Sequence, residues 1–218
     1  MDYRRAWDLQ AELSREVHDG RQLNTLLLLE HPHVYTRGRL SRPEHLLMTP
    51  DQLTRRGIDL VETDRGGQIT YHGPGQLVAY PVVHLRDWGG PIKYVRTLEQ
   101  VIIRTLASFG IAAGLEEGLT GVWVGERKIA AIGVKISRGV AHHGFAINVD
   151  PDLSYFDHII PCGITDRAVT SMKQMLEQQN SGGAVDPAAV RYSVAYYFGQ
   201  GMGFRMVEAM ASDLERIS

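Results

Sequence analysis

The sequence predicts an α+β fold. Strand-like apolar runs outnumber helical ones, several are joined by turns too short for parallel pairing, and one central segment carries a clear helical stripe. At 218 residues the chain is the size of a single mixed domain, and residues 1–218 are expected to form one, with the tail beyond about 200 the least patterned part.

Taken in order, Tyr3, Ala6, Trp7, Leu13 and Val17 recur near a helical period and Gly20 follows as a C′ residue. Leu26–Leu29 reads as a buried strand, interrupted by His31-Pro32 because proline cannot donate to a ladder. Thr49-Pro50 is an N-cap followed by an N1 proline, opening a short helix that Gly57 closes. Ile58–Val61 suggests a further strand, followed by the loop Asp64–Gly67. Ile69–Tyr71 and Leu77–Leu85 look like strands joined by the tight turn Gly73-Pro74-Gly75. Pro91 starts the central helix; Val95, Leu98, Val101, Ile102, Leu106 and Phe109 form its stripe and Gly110 ends it. Gly121–Val124, Lys128–Ser137 and Val140–Val149 are consecutive strands with turns at Gly125-Glu126 and Arg138-Gly139, necessarily antiparallel. Asp186-Pro187 caps a last helix to about Phe198, after a polar, glycine-rich loop over 178–185.

Composition narrows the function classes. A 44% hydrophobic, 22% charged chain can bury a real core. A formal charge of −2 gives no electrostatic case for nucleic acid. One cysteine, Cys162, excludes an internal disulfide framework and a cysteine-rich zinc site. The first residues lack the pattern of a signal peptide and no apolar run approaches a membrane span, so a soluble protein of a reducing compartment, the cytoplasm, is expected. No His-Glu-x-x-His motif or carboxylate cluster suggests a metal, and His31-Pro32-His33 lacks further ligands. A monomer is the default, since no strong association surface is visible.

Three segments could carry chemistry. Cys162 lies in Ile160-Pro161-Cys162-Gly163-Ile164, where flanking Pro and Gly place the thiol on a turn. A lone cysteine is more often a small buried hydrophobe, and becomes a nucleophile only in an electropositive setting. Lys128 opens the small, apolar run Ile129–Val134. It reads either as a solvated edge lysine or as an amine beside the thiol. The segment Arg65–Leu77 holds four glycines and one proline within residues 65–75, offering unobstructed N–H groups for a pocket wall or an oxyanion. It matches neither a Walker A nor a dinucleotide pattern, and two plain turns explain it equally well. His72 and His143, beside glycine-rich turns, are each either a proton shuttle or a satisfied structural histidine.

Taken together these segments resemble the lipoyl(octanoyl) transferase family. The resemblance rests on Arg65-Gly-Gly-x-x-Thr-Tyr-His-Gly-Pro-Gly-Gln-Leu77 with Tyr80-Pro81, and on Gly121-Val-Trp123 leading to Lys128-Ile-Ala-Ala-Ile-Gly-Val134. It continues in His143-Gly-Phe-Ala-x-Asn148 and in Pro161-Cys-Gly-Ile164 followed by Thr170-Ser171. These motifs occur in order across roughly residues 3 to 200.

The resemblance implies a fold like the biotin/lipoate protein ligase catalytic domain, a mixed, largely antiparallel sheet flanked by helices. A short strand before the first helix, expected from the family, is not evident ahead of Tyr3. It further implies octanoyl transfer through an acyl-thioester on Cys162 with Lys128 as its partner. The acyl substrate would meet Arg65, Gly66, Gly67, Gln68, Ile69, Thr70, Tyr71 and His72, together with Ala131, Ile132, Gly133, Gly144, Phe145 and Ala146. The implied donor is octanoyl-acyl-carrier protein. The implied acceptors are the lipoyl domains of 2-oxoacid dehydrogenases and the glycine cleavage H protein. No cofactor, metal or membrane is implied, because the thioester arrives already activated. Arg37, Arg39, Arg42, Arg55 and Arg56 could steer acidic partners, although a solvated face explains them as well. An ATP-dependent lipoate–protein ligase, a cysteine hydrolase and a non-catalytic binding module remain alternatives at this point.

Overall fold

The computed structural model describes residues 1–86, 88–160, 168–180, 182 and 184–209. In chain order the elements are α1 (Tyr3–His18), β1 (Thr25–Leu29), β2 (Val34–Arg37), a 3-10 turn at Pro43–His45, α2 (Pro50–Arg56), β3 (Asp59–Glu62), β4 (Ile69–His72), β5 (Gln76–His84) and α3 (Pro91–Ser108). Then follow β6 (Gly114–Glu116), β7 (Leu119–Val124), β8 (Arg127–Ser137), β9 (Val140–Asn148), a 3-10 segment at Leu153–His158, α4 (Met172–Gln178) and α5 (Pro187–Met202).

The strands divide between a six-stranded sheet, β1-β5-β9-β8-β7-β6, and a three-stranded sheet, β3-β2-β4. The larger is antiparallel throughout; in the smaller, β2 runs parallel to β3 and antiparallel to β4. The α+β expectation therefore holds, with its mixed pairing confined to the small sheet. Helices α3, α4 and α5 cover one face of the large sheet, where Phe145 and Ile147 of β9 meet Leu98, Ile102, Val194 and Phe198. Each such side chain, fully buried, contributes roughly 1.5–3 kcal/mol. Helix α1 and the small sheet cover the other face, with Tyr3, Ala6, Val34, Val61, Val78 and Ala146 in one cluster.

The helix boundaries follow local chemistry. Asp2 accepts from the Arg5 N–H at the start of α1, and Gly20 (φ 73°) takes the left-handed position after its end. Thr49 and Gln52 form a reciprocal capping box on α2, which Gly57 (φ 63°) terminates. Tyr94, Leu98, Val101, Ile102, Thr105 and Leu106 bury one face of α3.

The structure departs from the sequence expectations in three places. Leu26–Leu29 is a half-buried edge strand, with Leu26 and Leu28 against the main core and Leu27 and Leu29 against the α1 side. The strands on either side of Gly73-Pro74-Gly75 do not pair as a hairpin: β4 joins β2 while β5 joins β1 and β9. The turn instead carries the chain from one sheet to the other, pinned by Gly75 N–H donating to Glu30 Oε2 (3.0 Å) and Gly75 O accepting from Val149 and Asp150. Finally, α5 runs four residues past Phe198 to Met202.

One irregularity shapes the centre. Pro81 sits in β5 with β1 and β9 on either side, yet has no N–H to give the ladder. Opposite it, His143 adopts φ 55° and donates its N–H to Gln10 Oε1 of α1 at 2.8 Å. Gly144 lies so close to the Ala79 carbonyl and the Pro81 ring that a Cβ there would collide with both.

Candidate active site

Alternation along β8 and β9 sorts their side chains. Ala130 and Ile132 pair with Ile147 and Phe145 on the helix-covered face, so Ala131 and Gly133, paired with Ala146 and Gly144, look toward α1 and the small sheet. By parity Lys128 should share the face of Ala130. It does not, because Trp123 pairs with Lys128 and Val122 with Ala130, leaving Ile129 as an extra residue in β8. Ile129 and Ala130 both enter the main core, and Lys128 turns to the open face. There its Nζ lies 4.8 Å from the centroid of the Trp123 ring, a cation–π arrangement. Gly121 (φ 127°) makes room: a Cβ there would stand 2.7 Å from the Ala130 carbonyl oxygen and 3.3 Å from Lys128 Cε.

The backbone of Lys128 is also the anchor for the chain after Cys162. Its N–H donates to Ala168 O (3.0 Å), and the Thr170 N–H donates to its carbonyl (2.9 Å). On the other side, Ile160 N–H donates to His45 O at 2.8 Å. Cys162 itself, with 161–167, lies outside the described residues. Ala168 stands six residues after it in sequence.

A buried chain of hydrogen bonds joins this corner to the glycine-rich segment. His72 Nδ1 meets Gln76 Oε1 (3.0 Å), Gln76 Nε2 donates to Asn148 Oδ1 (2.9 Å), and Asn148 Nδ2 donates to Thr170 O (2.9 Å). Because Gln76 offers its carbonyl to the ring, His72 carries its proton on Nδ1. Burial holds this imidazole neutral, well below its usual range, and it stacks on Tyr3 at 5.9 Å. Gln76, Asn148 and Thr170 thus emerge as site residues by position; their presence in the motifs was the only sequence signal for them.

The predicted acyl contacts separate into groups. Gly66 and Gly67 form a loop that crosses Gly133: Gly66 N–H donates to Val134 O at 3.0 Å, and its carbonyl stands 3.0 Å from where a Gly133 Cβ would be. Gln68 O accepts from Gly38 N–H. Arg65 is buried, its guanidinium donating to Thr36 O (2.6 Å), Thr36 Oγ1 and Gly66 O, so it braces the loop from below. Thr70 and His72 alternate with Ile69 and Tyr71 along β4, and the latter two face away, into a cluster with Tyr35, Leu53 and Ile159. Ile132 and Phe145 belong to the helix-covered core, leaving Ala131, Gly133 and Ala146 as the small-residue floor. Gly144 packs against the Pro81 ring and the Ala79 carbonyl.

His143 pairs with Val134, six residues along β8 from Lys128. Its Nε2 meets Asp64 Oδ1 at 2.8 Å, and Lys135 Nζ meets Asp64 Oδ2 at 2.6 Å. Burial pushes the His143 ring down to about 4. Burial also pushes the Asp64 carboxyl up, but the hydrogen bonds from Lys135 and His143 outweigh it and hold it below its ordinary value. Asp64, His142 and His143 bring donor atoms within 4.8 Å of one another. Lys135 already occupies one carboxylate oxygen, and Arg15 and Arg138 line the adjoining cavity of about 180 Å³, so the surroundings disfavour a cation. His31 and His33 are spent on Tyr80 and Tyr71 hydroxyls, each at 2.8 Å. Of the arginines considered for steering, Arg37 is paired with Glu62.

Residues 2–193 match the family model for the lipoyl protein ligase A/B catalytic domain. The chain belongs to that family. Among curated relatives it is 54% identical over 176 residues to an octanoyltransferase of Chloroflexus aggregans, covering 79% of this chain and 80% of that one. It is 46% identical over 217 residues to an octanoyltransferase of Cytophaga hutchinsonii, covering 90% and 89%. A solved structure of a bipartite lipoate protein ligase from Thermoplasma acidophilum superposes with TM-score 0.72 over 96% of this chain and 85% of that one, at 20% identity. At that identity the likeness shows the fold, which this family member shares with ligases. No helix among the described residues is long and apolar enough to cross a membrane.

Proposed function

We propose that this chain is an octanoyltransferase that moves an octanoyl group from acyl-carrier protein to the lysine of a lipoyl domain through an acyl-thioester on Cys162. The observation that carries the reading is the meeting of the motif segments on one corner of β8. Lys128 is turned to the open face by the bulge, its backbone holds Ala168 and Thr170 just downstream of Cys162, and Thr170 is tied through Asn148 and Gln76 to His72.

In the first step the Cys162 thiolate adds to the acyl thioester carbonyl, and the tetrahedral oxyanion collapses with release of the carrier's pantetheine thiolate, which takes up a proton. The positive charge of Lys128 favours the attacking thiolate. Backbone N–H groups near the glycine-rich turns stabilise the oxyanion, each such donor being worth about 3 kcal/mol. In the second step the acceptor lysine amine attacks the acyl-cysteine, forming the amide and returning the thiolate; Lys128 relays the proton the amine gives up. The acyl chain lies over Ala131 and Ala146 beneath the Gly66–Gly67 loop.

Acceptors are lipoyl domains of 2-oxoacid dehydrogenases and the glycine cleavage H protein, and the enzyme works as a cytoplasmic monomer over one catalytic domain spanning 1–218. Intact-mass measurement after mixing with octanoyl-carrier protein, without acceptor, tests this. One octanoyl group should add to the chain, be absent in Cys162→Ser, form at least ~100-fold more slowly in Lys128→Met, and leave on addition of a lipoyl domain. Transfer that needs ATP and free acid would instead make the chain a ligase.

A further inference from the structure

The floor over which the acyl chain is proposed to lie has a definite far end. Between Lys128 and Gly133 the open face of β8 carries nothing larger than a methyl group, and its partners Ala146 and Gly144 on β9 are equally small. At a rise of ~3.3 Å per residue this floor is ~16 Å long. At Gly133 it stops, because the Gly66 carbonyl and the Arg65 side chain stand 3.0 and 3.2 Å from the missing Cβ. A chain extending from the Lys128 corner therefore ends against the 65–66 backbone.

Gly66 N–H, donating to Val134 O at 3.0 Å, holds that backbone to β8, and a second tie comes from Asp64. Its two carboxylate oxygens are taken by one residue of each strand under the loop, Lys135 of β8 and His143 of β9, at 2.6 and 2.8 Å. Lys135 lies two residues beyond Gly133, and His143 is adjacent to Gly144, so the tie falls immediately behind the stop. His143 reaches Asp64 from a left-handed conformation, φ 55°, at the irregularity opposite Pro81. The other side of the loop is held by the Arg65 guanidinium donating to Thr36, and by Gly38, Arg39 and Leu40 N–H groups donating to Gln68, Arg65 and Gly67 carbonyls. Those bonds fix the loop to the small sheet; Asp64 is its side-chain tie to the large sheet.

We propose that Asp64 is a positioning residue that sets acyl-chain length, by pinning the 65–66 backbone onto Gly133 and so fixing the closed end of the groove. This rests on the octanoyl-transfer reading above. Without the Asp64 tie the loop leans on the Gly66–Val134 backbone bond and can lift with the small sheet, so longer chains gain room at their tails while the reacting end is unaltered.

Acylation of Cys162 by hexanoyl, octanoyl, decanoyl and dodecanoyl pantetheine thioesters, followed by intact mass, tests it on the full chain. Asp64→Ala should raise the dodecanoyl-to-octanoyl rate ratio by at least ~10-fold. His143→Ala should do the same, and His143→Gln, which restores a donor to Asp64, should return the ratio toward wild type. Ala146→Val, which narrows the floor, should move the preference toward hexanoyl. Equal loss at every chain length in Asp64→Ala, an unmoved ratio, or no shift in Ala146→Val would overturn the inference. Failure of the wild-type chain to take up any acyl group would instead overturn the transfer reading itself.

Discussion

Substituting Gly121 by alanine tests whether the bulge in β8 is what aims Lys128. Gly121 has φ 127°, a conformation that costs a residue with a Cβ about 1–3 kcal/mol. The new methyl would also stand 2.7 Å from the Ala130 carbonyl oxygen, a backbone atom that moves only if the Val122–Ala130 pairing moves with it. The two effects together should destabilise the chain by ~2–4 kcal/mol. Gly125, in the turn between the same strands, supplies the control: its φ is 57° with nothing within 4 Å of an added methyl, so alanine there should cost ~1 kcal/mol from backbone conformation alone. Urea denaturation of both variants gives the stability difference, and acylation of Cys162 by an octanoyl thioester, measured well below the unfolding midpoint, gives the functional one. A shift of about 1 Å in the Lys128 amine should slow acylation ~100-fold in Gly121→Ala, with Gly125→Ala close to wild type. If Gly121→Ala loses less than about 1 kcal/mol and reacts at the wild-type rate, the bulge does not position the lysine.

Two further outcomes follow from buried polar groups. Asn148→Leu removes the acceptor of Gln76 Nε2 and the donor to Thr170 O, both in the interior, and should cost ~2–4 kcal/mol by thermal melting while slowing acylation; a loss under ~1 kcal/mol would mean the hydrogen-bonded strut is not holding the segment after Cys162. Burial pushes His31 and His143 down to about 4, and His72 well below its usual range. Unfolded, such rings protonate near 6.5, so the unfolded chain binds protons that the folded one refuses. Stability is therefore full above about pH 6.5 and falls between there and about pH 4, by ~2 kcal/mol per ring at pH 5. A urea midpoint unchanged between pH 7.5 and pH 5.0 would contradict neutral burial of these histidines.

Period and punctuation made most elements readable. The stripe of α3, the capping box of α2 and the antiparallel β7–β8–β9 turns depend on neighbours in sequence, and each stands where local rules place it. Pairing between distant strands does not. Gly73-Pro74-Gly75 has the composition of a hairpin turn, but β4 finds its partner in β2 and β5 in β1 and β9, a choice made by the buried faces of Tyr71 and Val78. β2, β6 and α4 went unread because they are short, and their stability comes from what covers them. At the site, Lys128 was legible as a residue but its direction was not: one extra residue in a strand reverses a side chain without altering composition. For His143 the sequence leaves a proton shuttle and a satisfied structural histidine equally open, and the structure favours the second, with its ring committed to Asp64 far from Lys128 along the ladder.

The seating of α1 on β5 and β9 bears on the order in which the chain can assemble during its own synthesis. The Gln10 side chain meets the His143 N–H across a separation of 133 residues, and Tyr3 and Ala6 share a cluster with Ala146. At about 5–20 residues per second, α1 waits roughly 7 to 27 s for the strand that buries its apolar stripe. During that interval Ala6, Leu13 and Val17 have only incomplete local cover, which makes this stretch a natural client for a nascent-chain chaperone. The acyl floor lies on β8 and β9, and β9 also pairs with β5, more than fifty residues upstream, so a nascent chain halted before β9 is complete has neither a seated α1 nor a place for its substrate.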